Sequence, residues 1–464
     1  MKPAAVINRE QIEAETLFLL GTRRMEIGDI AGAEACFRKA VKIVPDFAEA
    51  YANLGLLLDR QGVTDEAEIC YLRSIELNPS YAETHLNLGA FLAHKKRFNE
   101  AEASYRQAIA LKPHSPAAWS NLGVLYACMK RDGDAERCYL NAMSLDGSHA
   151  TSRFNLSYLL LRQGRFEEGW RCLEARKLFA TLPPHHFCPR WQGEVLVGKS
   201  LFISYEAGHG DMIQFCRFAA VLKAQGAASI TMICHPALKT LFAELEGVDT
   251  VISFDAPIPA SDWDFWTTLL SIPHYVKTRL DSIPAKIPYL RARAEQARNW
   301  PALLPQDGLR VGLAWKGNPQ FENDADRSLP SLDVLAPLWT VTGVNFISLQ
   351  KGAGENEAAQ PPDGLTLLNI GNQLKDFADT AAVVSNLDLV VCVDTAIAHL
   401  TGALGKPCWV LLPEYKTDWR WLIDRADSPW YPGIMRLFRQ PVIGGWAAVV
   451  AEVTDALRQW ALTA

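Results

Sequence analysis

The stretch Trp119-Ser-Asn-Leu-Gly-Val-Leu-Tyr126, followed by Ala135-Glu-Arg-Cys-Tyr139, decides the reading of the first third of the chain. Its leucine–glycine pair recurs at a constant step of 34 residues, as Leu20-Gly21, Leu54-Gly55, Leu88-Gly89 and Leu122-Gly123, with Leu156-Ser157 as a fifth member. Ala33, Ala67, Ala101 and Ala135 keep the same step, as do Phe37, Tyr71, Tyr105 and Tyr139, and Pro45, Pro79 and Pro113. Self-similarity at this period marks a solenoid, whose units cannot bury an apolar face alone and must stack. The predicted unit is a helical hairpin. Its small residues let two helices approach, and its aromatic fills the gap to the next hairpin. Five units are predicted over residues 14–183, after a lead-in at 1–13. In the fifth, Gly169 stands where alanine is expected, which suits a unit that packs on something different. Four of the 10 cysteines (Cys36, Cys70, Cys138 and Cys172) share one repeat position, and none of the 10 lies in a Cys-x-x-Cys pair. They read as small apolar packing residues in a reducing cytoplasm, not as a disulfide or zinc framework.

The pattern resembles the tetratricopeptide repeat. That resemblance implies a concave surface that holds a protein or glycan partner; the plainer reading of the same array is a helical spacer. Beyond it, Leu182-Pro-Pro-His-His-Phe-Cys-Pro-Arg-Trp191 breaks the helical period, so a linker is placed at 184–194. Short apolar runs then alternate with amphipathic helices: Leu201–Tyr205, Ser229–Cys234, Thr250–Phe254, Val311–Ala314, Asn345–Leu349, Leu387–Val393 and Cys408–Leu412. The alternation predicts parallel sheets in two Rossmann-like halves, 195–300 and 301–464, closed by a last helix at about 446–461. Ligands of such halves bind at the carboxyl ends of the strands.

Four strand-to-helix loops carry the candidate chemistry. In Glu206-Ala-Gly208-His209-Gly210-Asp211, the glycines admit a ligand close to the backbone and the helix start favours an anion. Asp211 reads equally as a helix cap. The dinucleotide fingerprint is broken, because its third glycine would fall on Ile213; this disfavours a dehydrogenase. In Trp315-Lys316-Gly317-Asn318-Pro319, Lys316 and Asn318 together with Arg327 and Ser328 form a candidate diphosphate clamp. Gln350 and Lys351, with Asp376 and Phe377, are candidates for a base and ribose. Asp394-Thr395-Ala396 opens a helix whose free N–H groups suit a phosphate, with His399 one turn on. Asp262-Trp-Asp264 has the spacing of a metal-binding Asp-x-Asp but lies away from these loops, so it reads as structural or acceptor-side. His185-His186 lacks the partners of a metal site.

Taken together, Pro189-Arg-Trp-Gln-Gly193, Gly208-x-Gly-Asp-Met-Ile-Gln-Phe215, Leu269-Leu-Ser-Ile-Pro273, Trp315–Pro319, Ser348-Leu-Gln-Lys-Gly352, Asp394-Thr-Ala-Ile-Ala-His-Leu400 and Asp418-Trp-Arg-Trp421 resemble bacterial tetratricopeptide proteins with a C-terminal glycosyltransferase domain. That domain is similar to the lipopolysaccharide heptosyltransferases, glycosyltransferase family nine. The resemblance implies the GT-B fold and metal-independent, inverting transfer from a nucleotide-diphosphate sugar to a hydroxyl, with no cofactor. It implies Asp211 as general base, an acceptor side at Gly208, His209, Gly210 and Gln214, and phosphate contacts from Lys316 and Asp394-Thr395-Ala396. His209 departs from the apolar residue expected there. The alternative is a non-enzymatic adaptor with a degenerate nucleotide-binding domain. Net charge of −6 gives no pull toward nucleic acid, and no apolar run approaches the roughly 20 residues of a spanning helix.

Overall fold

The computed structural model describes residues 9–176, 188–259, 262–298 and 300–463, so most of the lead-in, part of the expected linker and both His185 and His186 lie outside the described residues. The chain divides into two compact units, Met1–Leu156 and Ser157–Ala464. The first contains four helical hairpins: α1 (Arg9–Glu26) with α2 (Ile30–Ile43), α3 (Ala48–Arg60) with α4 (Thr64–Leu77), α5 (Ala82–His94) with α6 (Phe98–Leu111), and α7 (Pro116–Cys128) with α8 (Asp132–Leu145). A fifth hairpin joins α9 (Ala150–Arg162) to α10 (Phe166–Leu173), and the division between units falls inside α9.

The repeated residues explain each hairpin. A β-carbon on Gly21, Gly55, Gly89 or Gly123 would lie 2.8, 3.0, 2.6 or 2.7 Å from the ring of Phe37, Tyr71, Tyr105 or Tyr139 respectively. The aromatic therefore closes its own hairpin against a bare stretch of helix. The ring also reaches the next hairpin where the structure records it: Tyr71 meets Phe91 beyond it, with ring centroids 5.9 Å apart. The turn inside each hairpin is left-handed at the same repeat position, held by Gly28, Gly62 and Gly164 but by Lys96 and Lys130 in two units. Gly89→Val is expected to lower the stability of the first unit by about 1–3 kcal/mol, because overpacking displaces the Tyr105 ring. Denaturant unfolding followed by circular dichroism measures it; unchanged stability would mean that the glycine row has no packing role.

In the second unit, β1 (Ser200–Ser204), β2 (Ser229–Cys234), β3 (Thr250–Ser253) and β4 (Phe265–Thr268) form a parallel sheet in the order β3-β2-β1-β4. A second parallel sheet contains β5 (Leu309–Ala314), β6 (Val344–Ser348), β7 (Leu367–Asn369), β8 (Leu389–Val393), β9 (Cys408–Leu412) and β10 (Met435–Arg439), in the order β10-β9-β8-β5-β6-β7. Val311, Leu313, Val391, Val393 and Leu411 of this sheet share one apolar cluster with Val450, Val453 and Leu457 of the helix Trp446–Ala461. Three strands escape the sequence pattern. β4, β7 and β10 are edge strands of 4, 3 and 5 residues, too short or too charged to show an apolar run.

The fifth hairpin is built differently from the rest. Phe166 and Trp170 of α10 belong to an aromatic cluster with Phe215, Trp419 and Trp430, with centroid separations of 5.3–6.4 Å. Trp170 Nε1 donates to the Thr278 carbonyl at 3.0 Å. Buried Arg176, just after α10, pairs with buried Glu206 at 3.1 Å and donates to Ser271 at 2.8 Å. The degenerate repeat thus belongs to the core of the α/β unit, and a β-carbon at Gly169 would meet Leu161 at 2.7 Å.

Candidate functional site

β1 leads through Tyr205–Gly208 into α11 (His209–Phe215). Gly208 caps this helix, and its N–H donates to Asp211 Oδ2 at 3.1 Å. The cap reading of Asp211 is therefore realised, but only by one oxygen. The other accepts from Arg420 Nη2 of the second sheet's half. Arg420 is buried and donates in three directions: to Asp211, to Gln214 Oε1 at 2.7 Å, and to both oxygens of Asp418 at 2.9 and 3.0 Å. Its guanidinium also lies 4.3 Å from the Trp419 ring. A single cation thus ties the Asp211 carboxylate and Gln214 amide of α11 to the Asp418 carboxylate of its own half.

The helical segment that α11 opens is interrupted at Cys216 and Arg217, and resumes as α12 (Phe218–Ala224). The Arg217 side chain, 4% exposed, is the reason. It donates to the carbonyls of Gln214, Pro284 and Trp430 and to the Tyr289 hydroxyl, at 2.8–3.1 Å, and joins the two halves.

The loops after β5, β6 and β8 converge as adjacent strands must. Asp394 follows β8, and burial together with the neighbouring Asp418 carboxylate pushes it up to about 6. Thr395 occupies the N-cap of the helix Ala396–Ala403, and its side chain makes no capping bond. His399 turns inward: it is 5% exposed, its Nδ1 bonds the Tyr431 hydroxyl at 3.0 Å, and its ring stacks on Trp421 at 5.3 Å. Its Cδ2 would meet a β-carbon on Gly210 at 3.0 Å, so this glycine lets the helices of the two halves touch. Burial, with Arg420 and Arg217 nearby, holds His399 well below the usual histidine range.

The remaining candidates divide by what they hold. Lys316 Nζ pairs with Glu357 Oε1 at 2.5 Å. Although burial raises Glu357, Lys316, the Leu332 N–H and the Trp315 indole hold it below the usual carboxylate range. Gln350, 2% exposed, accepts from the N–H groups of Trp315 and Lys316 at 2.9 and 3.0 Å and donates to the Lys316 and Ala353 carbonyls at 3.0 and 2.7 Å. The structure therefore corrects its assignment as a nucleotide contact: its amide ties two strand-end loops together. Asp376 likewise caps the helix Phe377–Ser385 through Ala378 N and Asp379 N, at 2.8 and 3.0 Å. Ser328 Oγ accepts from Gly317 N at 2.8 Å and donates to Asp324 at 2.9 Å, while Arg327 Nε donates to Asp324 at 3.1 Å. Asn318 is exposed and accepts from Gln320 N, and Lys351 Nζ reaches the Gly371 carbonyl at 3.2 Å. Phe377 faces the His209 ring at 5.1 Å.

Asp264 stands before β4, at the end of the sheet opposite these loops. It accepts from Ser200 N, Ser200 Oγ and Lys199 Nζ at 2.8–2.9 Å, which holds it at about 2. Among the described residues no group of three or more His, Cys, Asp and Glu side chains is arranged to hold a metal, and no helix is long and apolar enough to cross a membrane.

Arg420 and Arg217 received no role from the sequence. The signal existed: Arg217 interrupts the apolar run Met212–Ala220, and Arg420 lies in Asp418-Trp-Arg-Trp421. A charge inside an apolar run reads as an error of amphipathicity until its distant partners are known.

Models of the tetratricopeptide repeat match residues 21–62, 48–81, 70–103 and 91–129. The model of glycosyltransferase family 9, the heptosyltransferases, matches residues 344–411. Fold and matches define a class: a tetratricopeptide-repeat array followed by an α/β region with glycosyltransferase family 9 likeness. Among particular proteins, the chain is similar to Protein FlbA of Caulobacter vibrioides, 27% identical over 336 residues that cover 67% of this chain. It spans 56% of the length of that relative. Similar solved structures include PilF of Pseudomonas aeruginosa (19% identity, 47% of this chain and 87% of that one, TM-score 0.37). Another is MamA from Desulfovibrio magneticus RS-1 (16% identity, 38% of this chain and 99% of that one, TM-score 0.33).

Proposed function

We propose that the α/β unit is a metal-independent, inverting glycosyltransferase. In this reading it moves a sugar from a nucleotide-diphosphate donor to a hydroxyl of a protein or glycan acceptor bound by the repeats. The observation that carries the reading is the meeting of Asp211 and Arg420 at the facing ends of the two halves, beside the Asp394-Thr395-Ala396 loop. Asp211 accepts one hydrogen bond on each oxygen, and a carboxylate has capacity for about four. It can therefore still take the acceptor's proton as the hydroxyl attacks the anomeric carbon from the face opposite the diphosphate. Lys316, Arg327 and the N–H groups that open the helix Ala396–Ala403 stabilise the charge that develops on the departing diphosphate. Lys316 has three donors, so it can contact phosphate without leaving Glu357. Arg420 holds Asp211 in register, and His399 positions the helix below it.

The test is incubation with a panel of nucleotide sugars, followed by NMR of the product's anomeric configuration. Expected are inverted product and activity that survives a chelator. Retained configuration, or full loss with EDTA restored by Mn²⁺ or Mg²⁺, would overturn the mechanism. Nucleotide sugars that bind without being hydrolysed or transferred would favour the adaptor reading.

A second expected result concerns the diphosphate. Lys316→Ala and Thr395→Ala should each weaken nucleoside diphosphate binding by about 1.5–3 kcal/mol, the worth of a charge-assisted hydrogen bond. Titration calorimetry reads this directly, and unchanged affinity in both variants would remove the clamp.

A further inference from the structure

The outer face of α1 carries aliphatic side chains that the repeat does not call for. Leu19 stands where the later hairpins have Asn53, Asn87, Asn121 and Asn155. Ile12 stands where they have Asp46, Ser80, His114 and Ser148, and Ile27 where they have Gln61, Lys95, Met129 and Gln163. Ile27 lies just past the end of α1, but its N–H still bonds the Arg23 carbonyl at 3.2 Å, so it continues the helical path. Leu20 is a repeat leucine, yet it is 41% exposed where Leu54, Leu88 and Leu122 are 2–6% exposed. Ile12, Leu19 and Ile27 are 50–74% exposed. Seven residues are about two helical turns, so Ile12, Leu19, Leu20 and Ile27 form one stripe along a single face. A terminal unit of a solenoid stays soluble by turning a polar face outward, and this hairpin does the opposite.

Spacing and charge together select what covers the stripe. Its pattern reads the same from either end. Two copies of α1 laid antiparallel therefore bring Ile12 of each level with Ile27 of the other, with Leu19 and Leu20 of both at the centre. A two-fold interface requires this self-complementarity, and a partner of another kind does not. Glu10, Glu13 and Glu15 lie before the centre, and Arg23 and Arg24 after it. Antiparallel pairing sets the acidic half of each helix on the basic half of the other, whereas parallel pairing would set like on like. Arg9 and Glu26, at the helix ends, do not follow this division. Glu13 and Arg24 already pair within the hairpin, with Lys39 at 3.0 Å and Asp29 at 3.6 Å, which leaves Glu15 and Arg23 as the pair that reports on the partner.

We propose that this face of α1 is a homodimerisation surface, on which a second copy of the chain seats its own α1 antiparallel. The 18 residues of α1 span about 27 Å, and one such helix against its copy buries about 1,000 Å², the lower limit of specific interfaces. The dimer is therefore weak, with a Kd in about the micromolar range. The inference stands independently of the transferase reading.

The experiment is sedimentation velocity on the full chain from about 1 to 100 µM, with a reversible shift from one chain to two expected. Leu19→Asn together with Ile27→Gln gives α1 residues that later hairpins carry at these positions, so the fold is kept, as circular dichroism checks. Association should weaken at least about tenfold. Glu15→Arg and Arg23→Glu should each weaken it about tenfold, and the two together in one chain should restore it to within about threefold, because every cross-pair is re-formed with its signs exchanged. Removing residues 1–8 should leave the equilibrium unchanged. A single chain at every concentration, equal association by the folded Leu19→Asn, Ile27→Gln chain, or no rescue in the doubly reversed chain would overturn the proposal. So would association seen only after residues 1–8 are removed, which would assign the stripe to that segment, or assemblies that grow beyond two chains.

Discussion

Asp211→Asn is expected to reduce sugar transfer by about 10²–10⁴-fold while leaving donor affinity nearly unchanged. Asparagine keeps the volume and can still accept the Gly208 N–H with its one oxygen. It cannot take a proton from an attacking hydroxyl at neutral pH. Its amide also offers one acceptor where the native carboxylate satisfies two donors, Gly208 N and Arg420 Nη2. Some stability should therefore be lost together with activity, and the two must be measured apart. If Asp211 is the base, kcat falls in a variant that remains folded at the assay temperature and binds nucleoside diphosphate normally. If Asp211 only holds Arg420, kcat recovers once the assay is cooled below the variant's lowered Tm. Turnover within about threefold of the native chain would exclude the base role.

Replacement of Arg420 by methionine should cost about 3–5 kcal/mol of folding stability, the usual cost of breaking a buried ion pair from one side. The lower end is expected. Asp211 and Asp418 are 31% and 24% exposed, so water can partly rehydrate them once the cation is gone. Gln214 is fully buried and would lose the donor to its Oε1, which adds an unsatisfied acceptor. Arg420→Lys separates charge from geometry. An ammonium keeps the charge but cannot reach Asp211, Gln214 and Asp418 in the three directions that one guanidinium serves. It should recover part of the stability and little of the activity. A loss below about 1 kcal/mol in Arg420→Met would mean that the two halves do not depend on this contact.

The repeats were legible because their physics is local. Gly89 and Tyr105 meet within one hairpin, so a constant step of 34 residues carries nearly all the information about the contact. The parallel strands were legible where they are buried on both faces, as in Leu389–Val393, and missed at three of the four edges, as in Met435–Arg439 with exposed Arg436. The loops were legible as positions at strand ends. Their side chains were not, because a glutamine after a strand looks the same whether it meets a ribose or two backbone N–H groups.

Composition and spacing therefore settle a helical repeat array, an α/β region and the candidate loops of that region. They could not show that Gln350 and Asp376 hold backbone, that His399 lies under Gly210, or that Arg420 reaches Asp211 across 209 positions of sequence. Each of those outcomes depends on which groups a polar side chain meets after collapse. Burial makes an unpaired polar group costly, so a side chain near a would-be ligand site takes the partner that the tertiary packing puts within its reach.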